Sequence, residues 1–211
     1  MGSESPAIRM RIAAVVLAAG ASSRLGEPKQ LLTDERGETL VHRATREAVE
    51  AELSPVMVVV GALASLVGVA VEDLVIAAGS VHVVENKAWE TGLSSSIRCG
   101  VQAVLEFDDS INALLIVTCD MPSVGTEHLR TLRRVFADSG TRVASGYGGT
   151  VGIPAIIPRA EFEVLMLLDG DRGAKQLLIQ HDTTTVSLEG GSLDLDTPDD
   201  VARWRAQDAT R

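Results

Sequence analysis

Two cations, Arg24 and Lys29, stand in the stretch Leu17-Ala18-Ala19-Gly20-Ala21-Ser22-Ser23-Arg24-Leu25-Gly26-Glu27-Pro28-Lys29, directly after an apolar run of strand length. A strand, a turn of small residues and two cations suit a polyphosphate, because backbone N–H groups can approach the oxygens while the cations flank the charge. The same residues also make an ordinary exposed turn, since loops favour Gly and Ser without any ligand. Two commoner phosphate loops are excluded by spacing. A dinucleotide loop needs glycine two positions after Gly20, where Ser22 stands. A Walker loop fails as well, because Gly20 and Gly26 enclose five residues rather than four and Glu27 takes the place of its lysine.

Asp120 follows the apolar run Ala113 to Thr118, which puts its carboxylate at the same sheet edge as the glycine loop. It reads equally as an acid that orders the turn before Pro122. Asp196 lies in an acidic run where Thr197 and Pro198 make a good N-cap and first helical residue. The four histidines are scattered without HExxH or HxH spacing, and Cys99 and Cys119 lack the CxxC spacing of zinc or redox sites. Cys119 reads as a small core side chain. No Ser-His or Cys-His pair suggests a covalent mechanism.

The elements that must position these groups follow from hydrophobic pattern. Short apolar runs at Ile12 to Ala18, Val56 to Val60, Val81 to Val84 and Ala113 to Thr118 alternate with helical stretches. Strands covered on both faces read this way, and the alternation predicts a three-layer α/β domain on a mostly parallel sheet. The first crossover helix is predicted over Leu40 to Ala51 and another after Thr126, its stripe Leu129, Leu132, Val135 and Phe136 inward. Arg130, Arg133 and Arg134 read as its solvated face. After Arg142 glycines crowd together and a short strand is broken by Pro154 and Pro158, which reads as a small lobe grafted on the sheet. Residues 1 to 10 read as a flexible tail and 11 to 211 as one domain.

The formal charge of -10 counts against a nucleic-acid surface, which needs clustered cations. Aromatics are only 3%, so the core is aliphatic. Leu53 to Val71 carries no charge, but Pro55, Gly61 and Gly68 interrupt it, which argues for a strand and a short packed helix rather than a membrane span. The cysteine usage and the lack of a signal-peptide pattern fit the cytoplasm.

The stretch LAAGxSxRxGxPK resembles the signature of the MobA-like nucleotidyltransferases. The resemblance continues through Gly92-Leu93-Ser94-Ser95-Ser96 with Gly100, Cys119-Asp120-Met121-Pro122, Gly152-Ile153-Pro154, Gly170-Asp171-Arg172-Gly173-Ala174 and Asp194-Leu195-Asp196-Thr197-Pro198, from Val15 to about Ala202. Within that superfamily the chain is most similar to molybdenum cofactor cytidylyltransferases.

The resemblance implies a Rossmann-like nucleotidyltransferase fold and an enzyme that moves CMP from CTP to the phosphate of a molybdopterin-type acceptor, releasing pyrophosphate. It implies Arg24 and Lys29 as phosphate cations, Lys29 toward the α-phosphate, with Asp120 completing the catalytic group. Asp120 and Asp196 would hold Mg²⁺, which favours carboxylate and phosphate oxygens; without it, the two carboxylates would repel the triphosphate. Leu17, Ala18, Ala19 and Gly20 would line the base, with Ser94 and Ser96 bonding base or ribose. Gly152, Pro154, Asp171 and Lys175 would face the acceptor, and a molybdenum hydroxylase would receive the product. Related guanylyltransferases tend to carry glycine and Asp where this chain has Ala19 and Pro28, which tilts the base toward cytosine. The family often has an aromatic residue after its Gly-x-Pro element; here Ala155, Ile156 and Ile157 follow, so no stacking platform is evident. A cytidylyltransferase or guanylyltransferase for another phosphate acceptor (a sugar phosphate, or molybdopterin with GTP) and a non-catalytic cofactor carrier remain as alternatives.

Overall fold

Four apolar runs become the parallel part of the sheet: β1 (Ile12–Ala18), β2 (Val56–Val60), β3 (Val81–Glu85) and β4 (Ala113–Thr118). The computed structural model describes residues 10–208 apart from 172, 180 and 181. The predicted tail therefore lies, but for residue 10, outside the described residues, as do Arg172 and His181. Every residue of β1 is buried, and alternate side chains serve opposite faces. Ala14, Val16 and Ala18 pack with Val41 and Ala48 of α1 (Leu40–Glu50) and with Leu129, Leu132 and Phe136 of α5 (Thr126–Ser139). Ala13, Val15 and Leu17 pack with Ile97, Val101 and Val104 of α4 (Leu93–Phe107). An unbroken apolar run is what a strand sandwiched between helices requires, each Val, Leu or Ile side chain gaining about 1.5–3 kcal/mol on burial.

Gly100 lets α4 pack tightly against β1. A methyl group there would lie 2.5 Å from Val15 Cγ1, inside the core. Gly100→Ala is expected to destabilise the fold by about 1–3 kcal/mol, the cost of overpacking. Thermal unfolding checks this; an unchanged midpoint would mean that α4 moves away freely.

Three later strands complete a seven-stranded sheet in the order β3-β2-β1-β4-β6-β5-β7: β5 (Val143–Tyr147), β6 (Thr150–Pro158) and β7 (Thr184–Ser187). The glycine-rich segment is thus built into the sheet instead of standing beside it. Its strand is also not broken at Pro154. β5 pairs Ala144 with Ala155 and Ser145 with Gly152, so Ile153 and Pro154 form a bulge where a missing N–H costs no ladder bond. β6 meets β4 only from Ala155 to Pro158, and its first half with the end of β5 runs past β4 as an overhanging hairpin.

Other elements differ from the pattern-based expectation in detail. The helix expected after Gly61 is two, α2 (Ala64–Val69) and α3 (Glu72–Ala78). Arg130 and Arg133 do more than face solvent: they donate to the Glu50 and Ala51 carbonyls at 2.9 and 2.6 Å, satisfying acceptors that the end of α1 leaves open. No helix among the described residues is long and apolar enough to cross a membrane.

Candidate active site

The sheet order reverses between β1 and β4, since β2 and β3 lie to one side and the remaining strands to the other. The carboxyl ends of two such strands open a crevice in α/β sheets, and both loops singled out above leave from them. The glycine loop leaves β1, and Asp120 stands two residues beyond β4.

A side chain not anticipated from sequence holds the glycine loop in shape. Gln30 is buried and donates through Nε2 to the Ala18 carbonyl at 3.1 Å and the Gly20 carbonyl at 2.6 Å. Its Oε1 accepts from Ser22 Oγ at 3.2 Å, while Ser22 Oγ accepts from the Lys29 N–H at 3.1 Å. The loop is therefore closed across its base by one amide and one hydroxyl. Gln30→Ala would strand two carbonyls and is expected to cost about 1–3 kcal/mol and to raise the KM for the triphosphate. Wild-type melting and wild-type KM together would rule out this bracing role.

Leu25 and Leu32, flanking that brace, pack with Leu40, Leu195, Val201 and Trp204 in a separate apolar cluster. This ties the loop to the segment that carries Asp196. The backbone N–H of Leu195 donates to the Asp120 carbonyl at 3.1 Å, setting the two acids side by side. Thr197 and Pro198 open the helix Pro198–Asp208 as the sequence predicts. Asp200 accepts from the Thr197 N–H at 2.8 Å, and the Thr197 hydroxyl faces the Asp200 N–H at 3.3 Å, a reciprocal cap that fixes the chain next to Asp196.

These supports bring Arg24, Lys29, Asp120 and Asp196 into one group. Lys29 Nζ contacts Asp120 Oδ2 and lies 2.8 Å from Asp196 Oδ1, whose other oxygen is 2.7 Å from Arg24 Nη2. Burial works against the Lys29 ammonium, but the charges and hydrogen bonds of Asp120 and Asp196 outweigh it and hold its pKa above the usual lysine range. The hydrogen bond from Lys29 holds the Asp196 carboxyl below its usual range. Nearby Asp194 is pushed up to about 6 by burial and by the charges of Asp120 and Asp196. Lys29 is thus the common counter-ion of the two acids.

One positive group fits between the two carboxylates, as Lys29 shows. Among the described residues no group of three or more His, Cys, Asp or Glu could hold a metal ion. A divalent ion on Asp120 and Asp196 would draw its other ligands from phosphate and water, as Mg²⁺ commonly does.

The serines are turned elsewhere. Ser94 is fully buried, and its Oγ donates to the Gly170 carbonyl at 2.7 Å. Ser96 Oγ accepts from the buried Asn86 amide at 3.0 Å. Both hydroxyls are engaged with protein and tie the start of α4 to its neighbours. Ala19 is 5% exposed and belongs to the apolar cluster under α4, so its methyl is largely committed to packing.

Beside the carboxylates, a cavity of about 270 Å³ is lined by Leu17, Ile97, Ile116, Tyr147, Gly152 and Lys175 among others. It lies between the ends of β1 and β4, the first turns of α4 and the overhanging hairpin. Gly152 and Lys175, expected on the acceptor side, are on its wall. Pro154 is buried with its carbonyl taken by Ser145 Oγ at 2.7 Å, and Asp171 is exposed beside Gly92. Tyr147, the chain's single tyrosine, supplies the aromatic wall that the residues after Pro154 lack, and from a position ahead of the Gly-x-Pro element where sequence pattern does not point.

The geometry agrees with what comparison finds. The chain is 27% identical over 205 residues, 91% of its length and 95% of the relative's, to the nicotine blue oxidoreductase of Paenarthrobacter nicotinovorans. The crystal structure of Rv0371c from Mycobacterium tuberculosis superposes with a TM-score of 0.77 at 28% identity, covering 93% of this chain and 98% of that one. The same protein is also known as a complex with manganese, at a TM-score of 0.73, 27% identity and 93% and 99% coverage. Residues 14–185 match the MobA-like NTP transferase domain, and the chain, with its glycine loop, paired cations and two neighbouring aspartates, belongs to that family.

Proposed function

We propose that the protein is a divalent-metal-dependent nucleotidyltransferase that transfers CMP from CTP to the phosphate of a molybdopterin-type acceptor and releases pyrophosphate. The observation that carries this reading is the Lys29 ammonium shared by Asp120 and Asp196 at the switch point of the sheet. Mg²⁺ held by the two aspartates would neutralise the triphosphate and the leaving pyrophosphate. Lys29 provides the positive charge closest to the α-phosphorus, and Arg24, more exposed, meets the outer phosphates. The acceptor's phosphate oxygen forms the new bond to the α-phosphorus as the bond to pyrophosphate breaks. A phosphate monoester is already anionic at neutral pH, so no enzyme base or covalent intermediate is needed.

The backbone from Leu17 to Gly20 faces the base, while the buried hydroxyls of Ser94 and Ser96 hold α4 in place beneath it. Preference for CTP rests on the resemblance at Ala19 and Pro28 and not on a methyl contact with the base, since the Ala19 methyl is packed under α4. The apolar cavity takes the body of the acceptor, with Gly152 and Lys175 on its wall and Pro154 and Asp171 behind them in the acceptor role. A molybdenum hydroxylase is the expected recipient of the product, and the cytoplasm the expected compartment.

Pyrophosphate release with CTP, GTP, UTP and ATP, each with molybdopterin and Mg²⁺, tests the reading. CTP is expected to lead; a tenfold advantage for GTP would reject the cytidine preference, and no release with any triphosphate would reject nucleotidyl transfer. A redox reading, suggested by the name of the Paenarthrobacter relative and by the aromatic-walled cavity, would instead show turnover of a flat aromatic substrate without pyrophosphate.

A further inference from the structure

The cavity beside the aspartates is walled mainly by aliphatic groups, with one aromatic ring. Leu17, Leu93, Ile97 and Ile116 close it from the sheet and α4, and Tyr147 closes it from the overhanging hairpin. Hydroxyl-rich ligands would find few partners on such walls, and each unmet hydroxyl would oppose binding.

The tyrosine is held by an arrangement that leaves two glycines without alternatives. A methyl group on Gly152 would collide with the Tyr147 hydroxyl, and one on Gly191 would lie 2.7 Å from its Cδ1. These glycines come from different segments, the bulged strand β6 and the loop that leads to Asp194, so two separate stretches make room for one ring. The hydroxyl also donates to the Ile153 carbonyl at 3.1 Å, on the bulge itself. The ring is thus fixed by a hydrogen bond at its tip and by glycine beside it. It also borders the acids: burial first, then the charges of Asp194 and Asp120, raise the pKa of its hydroxyl.

We propose that Tyr147 is the specificity-determining residue for the acceptor, its fixed ring forming the face against which a flat ring system rests while the acceptor's phosphate points to Lys29 and the aspartates. This deepens the transferase reading and rests on it for the phosphate's direction, but ring recognition is measurable without turnover. A ring on a ring gains a modest increment beyond area burial, enough for a several-fold preference. The cavity then favours a phosphate monoester with a planar heteroaromatic body over a sugar phosphate of similar charge.

The test is a fluorescence titration of the full chain with neopterin monophosphate, without any nucleotide. Wild type is expected to bind it, Tyr147→Phe to stay within about 3-fold, and Tyr147→Leu, which keeps apolar bulk without a ring, to weaken binding about 5-fold or more. Ribose 5-phosphate in excess is expected not to displace the probe. Thermal unfolding of each variant identifies any loss of binding that is merely loss of fold. No binding by wild type, equal binding by a well-folded Leu variant, or displacement by ribose 5-phosphate would each overturn the proposal. Failure of CTP-dependent pyrophosphate release with intact probe binding would instead sink the transferase reading and leave Tyr147 as a ring-selecting residue.

Discussion

Lys29→Ala is expected to lower turnover about 100-fold or more, the usual scale for losing one electrostatic contact to a transition state. The geometry adds a second, opposite expectation. Lys29 is the common counter-ion of Asp120 and Asp196, so in the absence of substrate it competes with any metal for those oxygens. Its removal leaves two neighbouring carboxylates whose repulsion a divalent cation would relieve. The alanine variant is therefore expected to bind Mn²⁺ more tightly than wild type while turning over more slowly. A lysine that served only to hold the loop would produce neither the tighter metal binding nor the loss of rate in well-folded protein. Single-turnover measurements at saturating CTP and metal, with Mn²⁺ titration by calorimetry, separate the two effects. Near-normal turnover in folded protein would remove Lys29 from the chemistry.

In the proposed reaction, Lys29 would exchange its aspartate partners for phosphate, which is how an acidic chain could admit a triphosphate. The formal charge is -10, and the charges of Asp120 and Asp196 act on Asp194 close by. Attraction must be local, because the overall field repels. Arg24 and Lys29 provide it from the glycine loop, and that loop is kept rigid by Gln30 and Ser22 rather than by its glycines. Rigidity matters because preorganised charge needs no rearrangement at the moment of reaction.

The parts of this arrangement legible in sequence are those governed by local pattern. β1, β2 and β4 follow their apolar runs because a strand covered on both faces has no freedom to alternate, and the N-cap at Thr197 follows from side-chain chemistry alone. The glycine loop and Asp120 are legible as residue types at strand ends, and Asp196 as an acid beside a helix cap. What the pattern could not convey depends on contacts between distant segments. Gln30 reads as one polar residue beside Lys29 until the loop folds back over its amide. Ser94 and Ser96 look like ligand-facing hydroxyls, and only packing shows that Gly170 and Asn86 claim them. The glycines after Arg142 read as a small lobe grafted on the sheet because bulges have no local signature. Pro154 breaks a regular ladder but fits a bulge, and that bulge lets the hairpin overhang the site. Tyr147 escaped notice for the same reason: its seat is made by glycines five and forty-four residues away, counted along the chain.

Asp120→Asn decides between the two readings of Asp120 with which the sequence began. If Asp120 only orders the turn before Pro122, an amide of the same shape would disturb that turn and lower the melting temperature while leaving chemistry in folded protein intact. The structure favours the other outcome. The turn is already braced by the Asp120 carbonyl, which accepts from Leu195 whatever side chain stands there, and by Arg43, whose guanidinium donates to the Pro122 carbonyl at 2.9 Å. The carboxylate itself points to Lys29 Nζ. Asn keeps one acceptor oxygen for Lys29 but loses the charge, and with it half of the pair that would hold the metal. Charge stabilisation by such a metal is worth several kcal/mol in the transition state, so turnover is expected to fall about 100-fold or more and the Mg²⁺ needed for half-maximal rate to rise about tenfold or more. The fold should change little, because Lys29 retains Asp196 and the backbone brace persists. A steep fall in melting temperature with unchanged kcat and unchanged Mg²⁺ dependence would return Asp120 to the role of a turn residue, and Asp196 would then have to hold the metal without it.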